Sequence, residues 1–500
     1  MKKKLLVLLL MVVPMLTFAQ EKGLDQKIDA AFQPVSDFFS NLIFFTIPIA
    51  GIDVPFVLLL LVGSALFFTI YFKFPNIFHF KTAINVVRGK YDELDQHVAG
   101  DPALAIGDIK GTIKDESTEG EVTHFQALAT AVSGTVGNGN IAGVALAIAL
   151  GGPGATFWMV VCGFLGMSTK FVECTLGVQY RDVGEDGTVY GGPMYYISKG
   201  LKERGFETFG KIVAVIFAIF CIGGSFGGGN AAQSNQATVV LKELMGLESS
   251  GAGFWIGVVM AIVVGVIIIG GIKRIASVTE KVVPFMAVLY LLACLYILGA
   301  NFSLIDDAFS LIFREAFNPT AIGVGGVIGV LLVGFKRAAF SNEAGAGSAS
   351  IAHSAVKTKY SASEGLVALL EPFIDTVVIC TMTALVIIIF NFGGDASGAT
   401  IFQYGGDGAG AVLIDGVSYE GAGITSKAFA QYIPYSNVFL TVAVVLFAVS
   451  TMISWSYYGL QSWKFLFGRG KAADMTYKLL FLLFVVIGAS ASMKSIWAFS

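Results

Sequence analysis

The chain is built around apolar blocks of about twenty residues, the length that a helix needs to cross roughly 30 Å of hydrocarbon. Inside a bilayer no water reaches unpaired backbone groups, so such blocks have to form helices. Of the 500 residues, 55% are hydrophobic and 13% are charged, whereas soluble domains carry about 25% charged residues. The sequence therefore predicts an all-α protein that crosses a membrane many times.

Ten blocks are long enough to be membrane spans, and the seventh of them is interrupted. Their predicted limits are 55–72, 126–150, 155–180, 211–240, 254–272, 281–300, 321–356, 364–392, 436–460 and 476–491. Lysine and arginine concentrate in the connections that follow odd-numbered spans, beginning with Lys73, Lys81, Arg88 and Lys90. The alternate connections, such as 241–253 and 393–435, are poor in both. Because positive loops stay in the cytoplasm, the mature N-terminus is expected outside.

The two ends of the chain carry their own signals. Residues 1–19 combine three lysines, an apolar stretch and Ala19, which predicts a signal peptide; an uncleaved anchor is the alternative. Residues 20–54 then form an extracytoplasmic lead-in. After span ten the chain ends in MKSIWAFS, which resembles the entry to a further helix, so the last helix is expected to be missing. A bacterial inner (cytoplasmic) membrane is the expected location.

Several function classes lack their sequence signals. There is no basic tail or aromatic-basic patch for nucleic acid, and the net charge of −3 is uninformative. The four histidines lack metal-ligand spacing, and GxSxG, HExxH and Walker motifs are absent. The five cysteines stand singly in apolar blocks, which is typical of small core residues: Cys162, Cys174, Cys221, Cys294 and Cys380. We therefore expect neither an enzyme nor a cofactor.

The stretch GTVGNGNIAG, residues 134–143, places four glycines and two asparagines inside span two. Each glycine costs about 1 kcal/mol relative to alanine in a helix, so the stretch predicts an unwound break around Asn138. A break at membrane depth is tolerated where it is buried in protein or lines a cavity. Its carbonyls suit a cation, and the following helix start suits a carboxylate. The alternative is a notch of small residues for helix packing.

Span seven carries a second stretch of this kind, GFKRAAFSNEAGAGSASIAHS, residues 334–354. The apolar run 321–335 before it is only about 22 Å long as a helix, too short to cross alone. Asn342, Glu343 and Gly345 are expected to belong to a discontinuous helix and its gate. We expect Lys336 and Arg337 to pair with Glu343 at a cytoplasmic gate or mouth; direct substrate contact is the alternative.

The two interrupted spans are five spans apart, and paired interruptions at corresponding positions are typical of inverted-repeat transporters. Because five is odd, the second set of five spans would be inverted relative to the first. The predicted repeat one covers 126–300, and the incomplete repeat two covers 321–500. The span at 55–72 is then a peripheral helix.

Two further spans carry polar groups. In span four, Gln233 follows a glycine-rich turn and is a candidate substrate ligand, since its amide donates and accepts; interhelical hydrogen bonding is the alternative. In span nine, Ser450, Thr451 and Ser454 offer oxygens of the kind that sodium prefers. Trp455 lies about one turn from Thr451 and is a candidate pocket wall; a tryptophan of the membrane interface is the alternative.

These motifs resemble those of the alanine or glycine:cation symporter family, sodium-coupled amino-acid carriers with a LeuT-type fold of five plus five helices. The resemblance runs from about Val62 to the end. It rests on GNGNIAGVA (137–145), GGPGATFWM (151–159), GGPMYYI (191–197), GGGNAAQSNQ (227–236), SNEAGAGSASIAH (341–353) and WSYYG (455–459). The family usually has threonine where Asn138 stands, so cation choice or substrate size is open at that point.

The resemblance implies sodium symport of a small neutral amino acid, alanine or glycine, by alternating access. The implied substrate ligands are Thr135, Gly139, Asn140, Gln233, Thr451 and Trp455. The implied sodium ligands are Gly134, Gly137, Thr451 and Ser454, with no other metal or cofactor. The partners are then the amino acid, sodium and the lipid bilayer, and a monomer is favoured. The alternatives are an uncoupled channel or facilitator, a proton-coupled permease, a membrane-embedded enzyme and a transporter-like nutrient sensor.

Overall fold

The computed structural model describes residues 45–49, 52–91, 120–247, 251–318, 326–393, 400–405 and 410–491. The predicted signal peptide, most of the lead-in and the segment after residue 491 lie outside the described residues. Within them, six helices are long and apolar enough to cross a membrane, or seven when one bent pair counts as a single span. Small two-stranded hairpins are the only sheets in these ranges. The predicted all-α polytopic architecture is confirmed.

The first half of the described chain begins with a hairpin and a lone apolar helix. Strands β1 (Thr46–Ile49) and β2 (Ile52–Pro55) are antiparallel. The helices are α1 (Phe56–Tyr71), α2 (Pro75–Phe78), α3 (Phe80–Val87), α4 (His124–Thr135), α5 (Gly139–Gly151), α6 (Gly154–Gln179), α7 (Pro193–Glu203), α8 (Glu207–Met245), α9 (Ala252–Ile268), α10 (Gly271–Ala300) and α11 (Ile305–Phe317). A second hairpin, β3 (Asp182–Val183) with β4 (Val189–Tyr190), lies between α6 and α7.

The second half repeats the pattern of long helices. It contains α12 (Gly326–Asn342), α13 (Ala349–His353), α14 (Ser361–Asn391), α15 (Ala422–Tyr432), α16 (Ser436–Phe467) and α17 (Lys471–Ser490). The hairpin of β5 (Ala411–Ile414) and β6 (Val417–Glu420) precedes α15. Each of the ten predicted spans has a helical counterpart: α1, α4 with α5, α6, α8, α9, α10, α12 with α13, α14, α16 and α17.

Sequence-local chemistry sets the start of α4. The Thr123 hydroxyl accepts the backbone N–H of Gln126, and the Gln126 side chain accepts the backbone N–H of Thr123. This reciprocal capping box satisfies two of the helix's free N–H groups. The cap defines where α4 begins, and the helix runs from there to Thr135, at the predicted break.

Helix α6 runs through the interior because glycines let its neighbours approach closely. A Cβ added to Gly334 of α12 would lie 2.6 Å from the Ala155 carbonyl oxygen of α6. A Cβ added to Gly365 of α14 would lie 2.0 Å from Thr175 Oγ1, also on α6. Small residues of this kind allow membrane helices to pack backbone against backbone. The close packing brings both halves of the chain around α6.

The outer faces of α8, α9 and α10 expose large apolar side chains. Ile219, Ile262 and Leu292 are each more than half exposed, as is Trp255 near the start of α9. Water would disfavour such a surface, whereas hydrocarbon would not. These faces therefore fit contact with lipid.

Candidate functional site

The first break separates α4 from α5 at residues 136–138. The two helices are bent by 52° across it, and α5 begins with a π-helical turn, Gly139–Gly143. The side chain of Asn140 replaces one of the backbone hydrogen bonds that the break removes, because its Oδ1 accepts the Gly137 backbone N–H at 2.8 Å. The interruption predicted within 134–143 is confirmed.

Gly137 is where the first break meets α16. A Cβ added there would lie 2.8 Å from Thr451 Oγ1. Glycine thus allows the hydroxyl of Thr451 to approach the unwound backbone. The predicted ion-site residues Gly137 and Thr451 are therefore neighbours in the fold.

Hydroxyl groups of α16 continue this contact along the end of α4. Thr451 Oγ1 donates to the Ser133 carbonyl at 3.1 Å, and Ser454 Oγ donates to the Thr130 carbonyl at 2.8 Å. In return, Ser133 Oγ donates to the Ser450 carbonyl at 2.7 Å. The arrangement concentrates hydroxyl and carbonyl oxygens, the ligand type that hard cations prefer. Gly134 also faces α16, since its added Cβ would lie 3.0 Å from the Tyr458 hydroxyl.

The second break lies between α12 and α13. Glu343 takes φ +54°, and Gly345 and Gly347 take φ +95° and +82°, a conformation that glycine adopts without steric cost. The Gly345 N–H is not left unpaired, because it donates to Glu173 Oε1 of α6 at 2.7 Å. The predicted interruption of span seven is confirmed.

The expected pairing of Lys336 and Arg337 with Glu343 is wrong for the described residues. Glu343 Oε1 instead accepts Trp455 Nε1–H at 3.2 Å, and its other oxygen accepts the Ser348 hydroxyl. The reason is geometric: α12 ends at Asn342, and Glu343 takes a left-handed conformation in which its carboxylate bonds to Trp455 and Ser348. Lys336 is exposed, and Arg337 lines a cavity.

A cavity of about 740 Å³ ends at the first break. Its lining follows α8 from Gly228 to Leu244 and includes the start of α16 and the β6–α15 corner. These outer parts belong to the ends that the Lys/Arg alternation predicts to be extracytoplasmic. At the break itself the lining residues are Asn138, Gly139 and Gln233. The cavity therefore connects the first break with the predicted outer side.

Asn138 and Gln233 join the first break to α8 at this end of the cavity. Asn138 Nδ2 donates to Gln233 Oε1 at 3.1 Å, and Gln233 Nε2 donates to the Gly228 carbonyl at 3.0 Å. The two amides hold each other in place while lining the cavity. Asn138 is buried. Gly139 has no side chain, so only its backbone lines the cavity beside the two amides.

The other predicted substrate residues lie away from the cavity lining. Thr135 is buried and bonds to carbonyls of its own helix. Asn140 follows the break and bonds to Asp375, and Thr451 lies against Gly137. Trp455 packs on the π turn of α8, where a Cβ on Gly229 would lie 2.3 Å from its Cγ. The fold thus gathers Asn138, Gly139 and Gln233 in one place, and the ligand roles of all these residues stay predictions.

Sequence reasoning missed Asp375, a fully buried carboxylate in the π turn of α14. Its Oδ1 accepts Asn140 Nδ2–H at 2.6 Å, and its Oδ2 accepts the hydroxyls of Ser341 at 2.9 Å and Thr376 at 2.7 Å. It thereby ties the first break to the end of α12. An acid inside an apolar span is a functional signal by default, and this signal was available in the sequence.

The Gly/Asp-rich connection 393–435 also contributes to the site. Ser418, Tyr419 and Glu420 of the β5–β6 hairpin line the cavity, as do Gly421, Ala422 and Gly423. The composition of this connection does not predict that it lines a cavity. Its position is set by the fold, which brings the hairpin over α5.

Comparison with known proteins places these features in a family. The model of the sodium:alanine symporter family matches residues 43–500. The sodium/alanine symporter AgcS of Methanococcus maripaludis is 39% identical over 444 residues, covering 89% of this chain and 87% of AgcS. The amino-acid carrier protein AlsT of Bacillus subtilis is 32% identical over 444 residues, covering 88% of this chain and 81% of AlsT.

Among solved structures, a crystal structure of MhsT in complex with L-phenylalanine is similar with a TM-score of 0.50. The match covers 74% of this chain and 80% of that chain at 15% identity. At this identity the likeness shows the fold alone, and the fold is LeuT-type. The predicted fold class is confirmed, while the exact extent of each repeat stays a prediction.

Proposed function

Because this chain belongs to the sodium:alanine symporter family, we propose that it imports small neutral amino acids, alanine or glycine, together with sodium. It is a multi-pass membrane transporter rather than an enzyme, and the two relatives named above are a sodium/alanine symporter and an amino-acid carrier protein. The observation that carries the proposal is the convergence of Asn138, Gly139 and Gln233 at the inner end of the cavity. A small polar ligand would meet backbone and two amides there.

Sodium is proposed to bind where α16 meets the end of α4. The last carbonyls of a helix lack partners in the next turn, which makes the Gly134 carbonyl near the end of α4 a candidate ligand. The Gly137 carbonyl in the break is the second candidate, and it would share its oxygen between the ion and the Asn140 N–H, which it accepts at 3.1 Å. The hydroxyls of Thr451 and Ser454 lie against the same stretch of α4, donating to Ser133 and Thr130. A cation bound there would be coordinated directly by hydroxyl and carbonyl oxygens, in place of the hydrogen bonds that these hydroxyls now donate to the carbonyls.

The amino acid is proposed to bind at the start of α5. Its carboxylate would face the N–H groups around Gly139 and Asn140, near the positive end of the helix dipole. The Asn140 N–H, which donates to the Gly137 carbonyl at 3.1 Å, would exchange that bond for one to the substrate. Its ammonium group requires acceptors, which the amide oxygens of Asn138 and Gln233 supply. Thr135, Thr451 and Trp455 complete the proposed ligand set. Binding both ligands at one break couples them, since each stabilises the arrangement that the other needs.

The cavity supports a state open to the predicted outside, from which the proposed import would begin. Its outer lining lies at the predicted extracytoplasmic ends of α8 and α16. At the opposite end Arg181 donates to the carbonyls of Ser354, Val356 and Thr358, which joins the segment after α13 to the hairpin after α6. We propose that these Arg181 hydrogen bonds break after substrate and sodium bind. The gate residues would then change position: Asn138, Asn342, Glu343 and Gly345.

The larger organisation is proposed to follow the inverted-repeat pattern. Repeat one covers 126–300, repeat two covers 321–500, and the helix predicted at 55–72 is peripheral. The mature N-terminus would be periplasmic after removal of residues 1–19, in a bacterial inner membrane. A monomer would suffice, since the proposed ligands all belong to one chain.

The test is uptake of labelled alanine into proteoliposomes with and without an inward sodium gradient. Accumulation above the outside concentration that requires sodium is the expected result. Equilibration without accumulation would contradict symport and favour an uncoupled facilitator. Accumulation driven by a proton gradient alone would contradict the sodium assignment. Competition with unlabelled glycine, serine and glutamine then ranks the substrates by size.

A further inference from the structure

A network of buried ionisable side chains lies beside the second break, outside the proposed ligand sites. It comprises His124 on α4, Lys170 on α6, His353 at the end of α13, and Glu364 and Glu371 on α14. The last four are fully buried, and the His124 side chain is 10% exposed. Ionisable groups within a membrane are costly and mark ion or proton sites.

Glu364 is shared by the two imidazoles. His124 Nδ1 contacts Glu364 Oε2, and His353 Nδ1 lies 2.5 Å from Glu364 Oε1. A neutral imidazole with its proton on Nδ1 can donate to a carboxylate, which leaves Nε2 as an acceptor. Both contacts therefore form without any charge on the histidines.

Beyond Glu364, His353 faces a second carboxylate without bonding to it. His353 Nε2 lies 3.9 Å from Glu371 Oε2. Among the described residues neither atom has a hydrogen-bond partner, although both are buried. The other oxygen, Glu371 Oε1, accepts Lys170 Nζ–H at 3.0 Å. Two facing acceptors explain the gap, since neither can donate to the other.

The charge balance of the network favours one more proton. With both histidines neutral, Lys170 contributes one positive charge and Glu364 and Glu371 contribute two negative charges, so the buried set is left at −1. Three further acids lie near the network: Glu173 on α6, Glu343 at the second break and Asp375 on α14. Tyr458 of α16 and Cys174 of α6 also face the network as neutral groups. An uncompensated buried charge is costly.

We propose that His353 is a proton-binding site, at which a proton on Nε2 converts the 3.9 Å gap to Glu371 into a hydrogen bond. The ligand is a proton from water on the predicted cytoplasmic side, which His124 connects to the network. The new N–H bond makes an imidazolium that donates to Glu364 and Glu371 at once. The set of His353, Glu364, Glu371 and Lys170 then becomes neutral.

Proton binding at His353 acts on the second broken helix. The residue ends α13, which begins directly after the break, whereas both carboxylates belong to α14. Closing the gap to a hydrogen-bond distance of about 2.9 Å would draw the two helices together by about 1 Å. Loss of the proton would release α13. The consequence for transport rests on the proposed function, whereas the proton site itself does not.

The direct test is magic-angle-spinning NMR of the full chain in lipid vesicles with isotope-labelled histidine. His353→Gln and His124→Gln assign the resonances, and His79→Gln, an exposed position outside the network, is the matched control. The expected result is that His353 gains a proton at Nε2 between about pH 9 and pH 5. A histidine that keeps one protonation state throughout this range would overturn the proposal.

A second measurement identifies Glu371 as the partner. Glu371→Gln removes the charge that favours the imidazolium, so the fraction of His353 that carries the Nε2 proton at a fixed pH should fall by about tenfold or more. An unchanged fraction in the folded variant would overturn the assignment of Glu371. Because the wild-type measurement does not need Glu371→Gln, misfolding of that variant would leave the proton site itself tested.

Transport supplies a separate readout. Sodium-driven alanine uptake should change with the internal pH of proteoliposomes in wild type and in His79→Gln, and lose this dependence in His353→Gln. An unchanged pH profile in His353→Gln would contradict the coupling. If His353 titrates but uptake never requires sodium, the proposed function fails and the proton site stands.

Discussion

Asn140 Nδ2 lies 2.6 Å from Asp375 Oδ1, and this contact joins the start of α5 to the π turn of α14. Both side chains are fully buried. Ser341, one residue before the end of α12, donates to the other oxygen of the same carboxylate. The two broken helices therefore meet at one buried acid, although their breaks are far apart in the chain.

Replacing Asn140 should destabilise the protein more than replacing an ordinary buried asparagine. Asn140→Ala removes a hydrogen bond to a charged group and also the acceptor of the Gly137 N–H, for which together we expect a loss of about 2–3 kcal/mol in the free energy of unfolding. Asn76→Ala is the matched control, because Asn76 Nδ2 donates to the neutral Phe164 carbonyl, and about 1 kcal/mol is expected there. Denaturation in detergent measures both, and equal losses would contradict a special role for Asp375.

Gly229 should tolerate no side chain, because it lies against Trp455. The added Cβ of Gly229→Ala would lie 2.3 Å from Trp455 Cγ and would displace the indole from Glu343. We expect sodium-driven alanine uptake to fall by about tenfold or more, an effect of overpacking. Gly223→Ala lies on the same helix, with no atom within 4 Å of its added Cβ, and should keep wild-type uptake. Wild-type uptake by Gly229→Ala would show that the position of Trp455 is unimportant.

The Thr451 hydroxyl should matter for sodium. Thr451→Ala removes an oxygen next to Gly137, so the sodium concentration for half-maximal uptake should rise by about tenfold, equivalent to about 1.4 kcal/mol. Thr451→Ser keeps the hydroxyl and should stay close to wild type. Ser456→Ala is the control on the same helix, because Ser456 Oγ bonds only to the Ile453 carbonyl among the contacts described. A normal sodium dependence in Thr451→Ala would remove Thr451 from the ion site.

An ion cluster at the β3–β4 hairpin should make stability depend on pH. Burial raises the pKa of the Asp182 carboxyl, but hydrogen bonds from Lys199 and Arg469 outweigh it and hold the pKa below the usual 3.8. The stabilisation is therefore complete above about pH 4 and is lost as the pH falls through the lowered value.

Asp182→Asn should accordingly be less stable than wild type at pH 7, with the difference vanishing in acid. The side chains of Asp182 and Lys199 are 36% and 38% exposed, so the effect should stay below about 1 kcal/mol. Thermal unfolding across pH measures it. Raising the ionic strength should shrink the difference at pH 7. A difference that persists below pH 3 would assign the loss to packing instead.

Much of the architecture was predictable because it depends on short stretches of chain. The apolar blocks predicted ten spans, and each has a helix in the structure. The glycine and asparagine content of 134–143 and 334–354 predicted both breaks, since helix propensity is a property of neighbouring residues. The expected partner of Glu343 was wrong because a left-handed residue at the end of α12 redirects its side chain.

The sequence by itself determined the membrane class, the spans, the two interruptions and the family motifs, because hydropathy and helix propensity act over a few turns. Only the tertiary structure decided which polar groups meet. Asn140 and Asp375 are 235 residues apart, and Lys170 and Glu371 are 201 residues apart. Such pairs form when glycines let α6, α12 and α14 pack closely, and their burial then requires each charge to find a partner.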